Sequence, residues 1–251
     1  MNHTLSLGLT SAVCALLAGT AGPVGAAEDQ AVTLCWSPKA GDSVRYRTTI
    51  KLDIGGNDIV VEQNRRHVVR RIKDSRDVVI VVEEEGGKVI AGGAENAIPA
   101  GAPTTITLDK SNKVLEFQVE RDDNPYLSAA AQHLIALIDR IVLPEKPVKP
   151  GDSWTTEVDN PRVKGRKVNI KSVYVGEDKA DGVPVWKIKQ TVEADTDESG
   201  GKLKAESTAR LEAATGQLLD AEQTVRGLPG NMGPVDWNGT IKRMKAESGG
   251  A

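Results

Sequence analysis

The chain has 251 residues and a formal net charge of −3, from 32 lysines and arginines against 35 aspartates and glutamates. This balance argues against a protein that binds nucleic acid through excess positive charge, and against an acidic disordered tail. Hydrophobic residues make up 39% of the chain and aromatic residues only 3%, so a core must consist mainly of valine, isoleucine, leucine and alanine. Two cysteines are too few for a disulfide framework or a cysteine-based zinc site.

The first 27 residues have the pattern of a secretory signal peptide. An apolar run from Leu5 to Leu17 is followed by glycines and Pro23, and the first acidic residues come only after Ala27. We expect cleavage after Ala27, with Ala26 as the alternative, and therefore a periplasmic or secreted protein. An uncleaved membrane anchor is the other interpretation, although the run is broken before it reaches the roughly 20 residues of a membrane span.

The segment 28–123 is predicted to be the first β-meander half. β-branched runs at 44–54 and 59–72 flank a Gly-Gly-Asn-Asp sequence, which is typical of a hairpin turn. Glycine pairs at 86–87 and 92–93 interrupt the chain further on. The other strands predicted in this half are 78–82, 104–108 and 114–119.

The segment 124–150 is predicted to contain a helix and a proline-rich connector. Its apolar residues recur at steps of three and four up to Val142, which is helical periodicity. Asn124 can cap the helix, Pro125 fits its first position, and Pro144 ends it. The apolar stripe of this amphipathic helix provides the candidate ligand-binding residues: Leu127, Leu134, Leu137, Ile138 and Ile141.

The segment 151–228 is predicted to be the second β-meander half. The segment 229–251 is predicted to be a C-terminal extension with one short strand at 235–244 and a disordered end. The strands predicted in the second half are 153–158, 166–175, 183–194, 203–211 and 217–225.

An internal repeat relates the two halves. A Gly-Asp-Ser sequence occurs in 38–43 and again in 148–153, and each copy is followed by a long predicted hairpin. We therefore expect a mainly β fold, with two antiparallel β-meander halves and one amphipathic helix between them. The halves can form one curved sheet, as in a half-barrel, or two separate sheets.

The sequence Lys-Pro-Gly-Asp-Ser-Trp at 149–154 and Ala-Thr-Gly-Gln-Leu at 214–218 resemble motifs of an uncharacterised family of secreted bacterial β-rich proteins. The resemblance extends over roughly residues 38 to 228. The overall plan is also similar to the LolA-like lipoprotein carrier superfamily. That resemblance implies an incomplete antiparallel barrel that wraps a helix and leaves an apolar cleft for acyl chains.

The sequence contains no local catalytic or cofactor motif. His67 and His133 have no carboxylate or thiol at metal-ligand spacing, no serine lies in a Gly-x-Ser-x-Gly turn, and no glycine-rich loop precedes the helix. The segment 195–206 is close to a calcium loop, but its flanks read as strands and its acidic-Ser-Gly-Gly residues suit a hairpin turn. We therefore expect no metal, no cofactor and no enzymatic activity.

A basic cluster lies on the first long hairpin, followed by Lys73 and Arg76. It can bind an anionic surface or an acidic partner, or it can be a solvated face paired with the nearby acidic run 83–85. The candidate partner-binding residues in this cluster are Arg65, Arg66, Arg70 and Arg71.

These observations favour an exported, non-enzymatic binding module or carrier for a lipid-like or lipoprotein ligand. The alternative is a structural or protein-interaction module of the cell envelope. The expected partners are a hydrophobic ligand or an envelope protein, with no nucleic acid and no stable membrane span after signal cleavage. An enzyme would require polar groups with shifted pKa values in a concave pocket.

Overall fold

The computed structural model describes residues 30–54, 56–121, 124 and 126–245. The predicted signal peptide and Pro125 lie outside this range. The strands before the helix are β1 (Ser43–Ile54), β2 (Asn57–Ile72), β3 (Val78–Ala91), β4 (Ala94–Ile98), β5 (Thr104–Leu108) and β6 (Val114–Val119). After α1 (Ala129–Asp139) come β7 (Ser153–Asp159), β8 (Lys167–Ala180), β9 (Val183–Asp195), β10 (Lys202–Glu212), β11 (Leu218–Gly230) and β12 (Gly233–Arg243).

All twelve strands belong to one antiparallel sheet. Eleven follow the order β6-β5-β3-β2-β1-β12-β11-β10-β9-β8-β7, and β4 pairs with β3. The pairing of β1 with β12 joins the beginning of the strand region to its end, with Thr48 opposite Ile241. The predicted mainly β fold is confirmed, and the two meanders are continuous in one curved sheet.

The inner face of the sheet wraps around α1. Leu134 and Leu137 of the helix belong to the same buried cluster as Leu108 of β5, Val114 of β6 and Val168 of β8. Because β6 and β8 lie near opposite ends of the strand order, their contact with one cluster requires the sheet to curl around the helix. None of the helical segments in the described residues has the length and hydropathy needed to cross a membrane.

The predicted ends of the helix were wrong. Ser128 is the N-cap, and its side chain accepts a hydrogen bond from the Ala131 N–H. Asn124 instead accepts from the N–H groups of Tyr126 and Leu127, which closes a turn before the helix begins. The helix ends at Asp139 rather than near Val142, because the next residues bond to the sheet.

Strand β3 is longer than predicted because its glycines allow a close approach to β2. A Cβ atom on Gly87 would lie 2.0 Å from the Glu62 carbonyl oxygen. The pairing of β2 with β3 shifts register opposite these glycines, between Asn64 and Arg65. The glycine pair therefore marks a bulge inside a strand and not its end. Strand β12 is also longer than the short strand predicted there.

The two Gly-Asp-Ser turns have the same geometry. Gly41 and Gly151 both have φ 92°, and in each turn the aspartate accepts a bond from the lysine N–H three residues earlier. In the first copy Gly41 N–H donates to Val69 O, and in the second Gly151 N–H donates to Tyr174 O, each at 2.8 Å. Each turn therefore attaches the start of one strand to its hairpin partner.

Candidate functional site

A cavity of about 70 Å³ lies beyond the C-terminal end of α1, on the inner face of β1 and β2. We call it the inner cleft. Its lining contains apolar side chains from several strands and a set of polar side chains. The apolar side chains include Trp36, Val69, Ile141, Leu211, Leu218 and Ile241, and the polar ones are Asp42, Tyr46, Thr48, Arg65, His67, Asn112, Asp139, Arg140 and Gln217.

Gln190 of β9 fixes the chain where it leaves the helix. Its Nε2 donates to the Arg140 carbonyl at 2.8 Å, and its Oε1 accepts from the Val142 N–H at 3.0 Å. Ser172 of β8 donates a third bond to the same amide oxygen at 3.2 Å. Gln190 is only 2% exposed, so these bonds replace lost contacts with water at a fully buried position.

Other side chains bond the next backbone groups of this segment. Asn112 Nδ2 donates to the Ile141 carbonyl at 3.0 Å, and Trp154 Nε1 donates to the Val142 carbonyl at 2.9 Å. The Leu143 N–H donates to the carbonyl of Ser111 at 2.8 Å. The segment after the helix is therefore held in place although it has no regular secondary structure, and the position of the Arg140 side chain follows from it.

Asp139, the last residue of α1, connects the helix to two strands. Its Oδ2 accepts from Arg65 Nη1 of β2 at 3.2 Å, and its Oδ1 accepts from Gln223 Nε2 of β11 at 3.2 Å. The Arg65 and Asp139 side chains are each 17% exposed. Arg65 also donates to Gln63 at 3.1 Å and lies 3.7 Å from a carboxylate oxygen of Glu84.

His67 is neutral in the inner cleft. Arg140 Nη2 lies 3.2 Å from its Nδ1. Because a guanidinium can only donate, Nδ1 is the acceptor and the ring proton is on Nε2. Burial, with Arg140 and Arg65 nearby, holds the pKa of His67 well below its usual value of 6.5.

Tyr46 is also neutral and packs against His67, with 4.8 Å between the ring centroids. Its hydroxyl donates to the Leu218 carbonyl at 3.2 Å, and burial raises the pKa of Tyr46 to about 12. Burial likewise lowers the pKa of Arg140, although a guanidinium remains protonated at neutral pH. The cleft therefore combines neutral polar groups with charged arginines.

The five candidate ligand-binding residues do not lie together at the inner cleft. Ile141 lines it, whereas Leu134, Leu137 and Ile138 are at most 1% exposed and pack in the core. Leu127 is half-buried at the margin of the same core. The stripe therefore fills the space enclosed by the sheet, and its role in ligand binding stays a prediction.

The four candidate partner-binding arginines do not share one surface. Arg65 faces the inner cleft. Arg66 and Arg70 both form ion pairs with Glu83, as in the solvated-face alternative. Arg71 is exposed, and the pairing of β2 with β3 shifts register between Val69 and Arg71. The role of these residues in partner binding stays a prediction.

A second, shallow groove lies elsewhere on the sheet, across β9, β10, β11, β12 and β1. Its volume is about 690 Å³, and polar side chains such as Thr191, Glu206 and Thr240 line it. The segment predicted as a turn near 195–201 joins β9 to β10, where Asp197 Oδ1 accepts from Ser199 Oγ and the Gly201 N–H. Among the residues that the structure describes, no cluster of three or more metal-ligating side chains occurs.

Sequence reasoning missed Arg140, Gln190 and Tyr46. Gln190 had a detectable pattern, because it occupies an inward position in β9 between Ile188 and Val192. A polar residue at an otherwise apolar inward position is informative because buried polar groups require partners. No comparable pattern marks Tyr46, whose surroundings depend on the pairing of β1 with β12.

No protein-family model matches the chain, and no curated protein does. The solved structures that are similar to it include three bacterial proteins. The hypothetical lipoprotein YmcC from Escherichia coli is 14% identical, with 81% of this chain and 85% of that chain covered and a TM-score of 0.30. A putative outer membrane lipoprotein-sorting protein domain from Vibrio parahaemolyticus is 7% identical, with 82% and 87% covered and a TM-score of 0.22.

The third structure is a DUF1329 family protein from Desulfovibrio piger, 7% identical, with 84% of this chain and 88% of that chain covered and a TM-score of 0.24. All three identities are 14% or lower, and all three TM-scores are 0.30 or lower. At such TM-scores the matches define no site, ligand or mechanism for this chain.

Proposed function

We propose that the protein is an exported, non-enzymatic binding module for a hydrophobic, lipid-like ligand, and that the ligand enters the inner cleft. One observation carries the proposal: the sheet curls around α1 and leaves a cavity beyond its end that is lined by both apolar side chains and convergent polar groups. Ligand sites in proteins typically combine a concave apolar wall with a few placed polar groups.

The apolar wall limits how such a ligand is placed. Ile141 and Ile241 are buried, whereas Trp36 and Leu218 are only half-buried and form the outer part of the lining. A volume of about 70 Å³ accommodates one end of a lipid-like molecule, so the remainder extends past Trp36 and Leu218. Contact with Leu134 or Leu137 requires α1 to move away from the sheet.

The contacts of the polar side chains support binding rather than catalysis. Of the groups with shifted pKa values, His67 accepts from Arg140 and Tyr46 donates to the Leu218 carbonyl. Asp139 is bonded to Arg65 and Gln223, and Asn112 holds the Ile141 carbonyl. A catalytic group has to be free to exchange a proton or form a bond with a substrate. These side chains instead connect the helix end to the surrounding strands.

The proposal is tested by titrating the protein with decanol, a neutral apolar chain, and measuring heat and tryptophan fluorescence. We expect saturable binding that Leu218→Gln weakens at least about 10-fold, because the variant places an amide on the apolar wall. Leu115→Gln is the matched control, since Leu115 is 46% exposed and does not line the cleft. Absence of saturable decanol binding to the folded wild-type protein would overturn the proposal.

A further inference from the structure

The Arg140 guanidinium lies inside the protein without an acidic partner. It donates to His67 Nδ1, and it forms no ion pair with any carboxylate in the described part of the chain. Arg140 keeps part of its accessible surface, and that surface faces the inner cleft. A guanidinium carries five N–H donors, so most of the N–H groups of Arg140 either face the cleft or have no acceptor within the described ranges.

The lining of the inner cleft contains two arginines and two aspartates, but they are not paired one to one. Arg65 forms ion pairs with both Asp139 and Glu84, and His67 and Tyr46 are neutral. Asp42, at the outer part of the lining, is half-buried and accepts a bond from the Lys39 N–H. Arg140 is therefore the charged residue of the inner lining that forms no ion pair in the described part of the chain, although Asp139 lies near enough to favour its charged form. A largely buried charge without a hydrogen-bonded counter-ion is unfavourable.

Two polar atoms of lining residues also lack hydrogen-bond partners among the described residues. They are the donor Arg65 Nε, which lies 3.7 Å from a Glu84 carboxylate oxygen and therefore beyond hydrogen-bond distance, and the acceptor Asn112 Oδ1. Native proteins rarely leave such atoms unsatisfied unless a water or a ligand completes them. A cavity of about 70 Å³ has room for several water molecules, since one needs about 10–15 Å³ of such space, or for one small anionic group with a water.

We propose that the inner cleft binds the negatively charged end of its ligand, a single carboxylate, between Arg140 and Arg65. This inference rests on the proposed function, because it assigns the polar end of the same hydrophobic ligand. A guanidinium fork matches the two oxygens of a carboxylate, and a carboxylate supplies the ion-pair partner that Arg140 lacks. A water beside the carboxylate donates to Asn112 Oδ1. The ligand class is therefore an amphipathic monocarboxylate, such as a fatty acid.

The test compares four probes on the protein produced with its own N-terminal segment, below the concentrations at which they form micelles. Decanoate, decanol and decyltrimethylammonium have the same chain and an anionic, a neutral or a cationic end, and acetate has the anion without the chain. We expect decanoate to bind at least about 10-fold more tightly than decanol, because a hydrogen bond to a charged group is stronger than one between neutral groups. Decyltrimethylammonium should bind more weakly than decanol.

Variants of Arg140 assign the effect to its charge. Arg140→Met should bring the affinity for decanoate down to that for decanol. Arg140→Lys should give an intermediate affinity, because it keeps the charge and loses the fork. Arg70→Met is the matched control and should change neither affinity, since Arg70 is exposed and pairs with Glu83. Circular dichroism checks that each variant folds. If a variant does not fold, the comparison of the four probes on the wild-type protein still tests the proposal.

The outcomes separate the two proposals. Equal affinity for decanol and decanoate overturns the carboxylate site and leaves the hydrophobic-ligand function in place. Acetate binding as tightly as decanoate supports the carboxylate site and overturns the hydrophobic-ligand function. Absence of binding by every probe overturns both. Decanoate selectivity that persists in Arg140→Met also overturns the site, because the charge that recognises the anion then lies elsewhere.

Discussion

The hairpins that follow the two Gly-Asp-Ser turns share their backbone attachment and differ on their inner faces. Val69 N–H donates to Asp42 O in the first half, as Tyr174 N–H donates to Asp152 O in the second. Val69 and Tyr174 are therefore equivalent positions in the two repeats. Two residues before them, His67 of β2 is equivalent to Ser172 of β8. Arg65 in β2 corresponds in the same way to Ile170 in β8.

The difference shows which side chains the fold needs. Val168, Ile170 and Tyr174 are at most 1% exposed, so the second hairpin packs as an ordinary half of a curved sheet. The corresponding face of β2 carries Arg65 and His67, although the same backbone can be covered by apolar residues. Local departures from the pattern expected of a fold are typical of functional sites. The inner cleft lies in the half where this departure occurs.

The largest expected effect comes from Asp139→Ala, which removes the shorter of the two ion pairs of Arg65 and leaves it only the longer contact with Glu84. Removing one member of a buried ion pair destabilises a protein by about 3 kcal/mol or more. We expect a loss of about 3 kcal/mol in the free energy of unfolding, measured by urea denaturation. The control is the double variant Arg65→Ile with Asp139→Leu, which gives β2 the residue found in β8. It should lose less than Asp139→Ala alone, and an equal or greater loss would contradict this explanation.

Gln190→Leu tests the buried polar residue that β9, in the second half, carries at an inward position. The leucine leaves the Arg140 carbonyl and the Val142 N–H without partners, and each buried unpaired group costs about 1–3 kcal/mol. We expect a loss of about 2 kcal/mol in urea denaturation. Lys189→Leu, at the exposed neighbouring position, should change stability by less than about 0.5 kcal/mol. Similar losses in the two variants would show that Gln190 does not hold this segment.

The mainly β fold, the helix stripe and the repeat could be predicted from local patterns. Alternation and turn residues depend only on neighbours in the chain, as in the hairpin of β1 and β2. The role of Arg65 could not be predicted in this way. Its inward direction and its partner Asp139 result from a curvature that also requires β12, at the far end of the chain, to pair with β1. The helix end was misplaced for the same reason, because Gln190 is 50 residues from Arg140 along the sequence.

The pH dependence of stability distinguishes the two hairpins as well. The pKa of His67 is lowered in the folded protein, so below about pH 6.5 the unfolded chain binds a proton that the folded chain does not. The free energy of unfolding therefore falls as the pH falls, by about 1.4 kcal/mol per pH unit for one such group. His67→Ser, which introduces the residue of β8, should make the slope between pH 6 and 5 shallower by about that amount.

The control for this measurement is His133, which stacks on Phe117 outside the cleft lining. Burial lowers the pKa of His133 to about 4, so its removal in His133→Gln should also reduce the slope. The two variants should therefore agree in the sign of their pH effect. An unchanged slope in His67→Ser would mean that His67 titrates normally in the folded protein.

The smallest expected effects come from the feature that the halves have in common. Gly41 and Gly151 both have φ 92°, and a Cβ on either would meet no atom within 4 Å, so an alanine there costs backbone strain alone. That strain is about 1–2 kcal/mol for an L-residue in the left-handed region. We expect Gly41→Ala and Gly151→Ala each to lose about 1 kcal/mol in urea denaturation. Because β7 is an edge strand and β1 is central, a much smaller loss in Gly151→Ala would show that the second turn tolerates local opening. Equal losses would show that both turns hold their hairpins equally firmly, and the functional difference between the halves would then reside in the inner side chains.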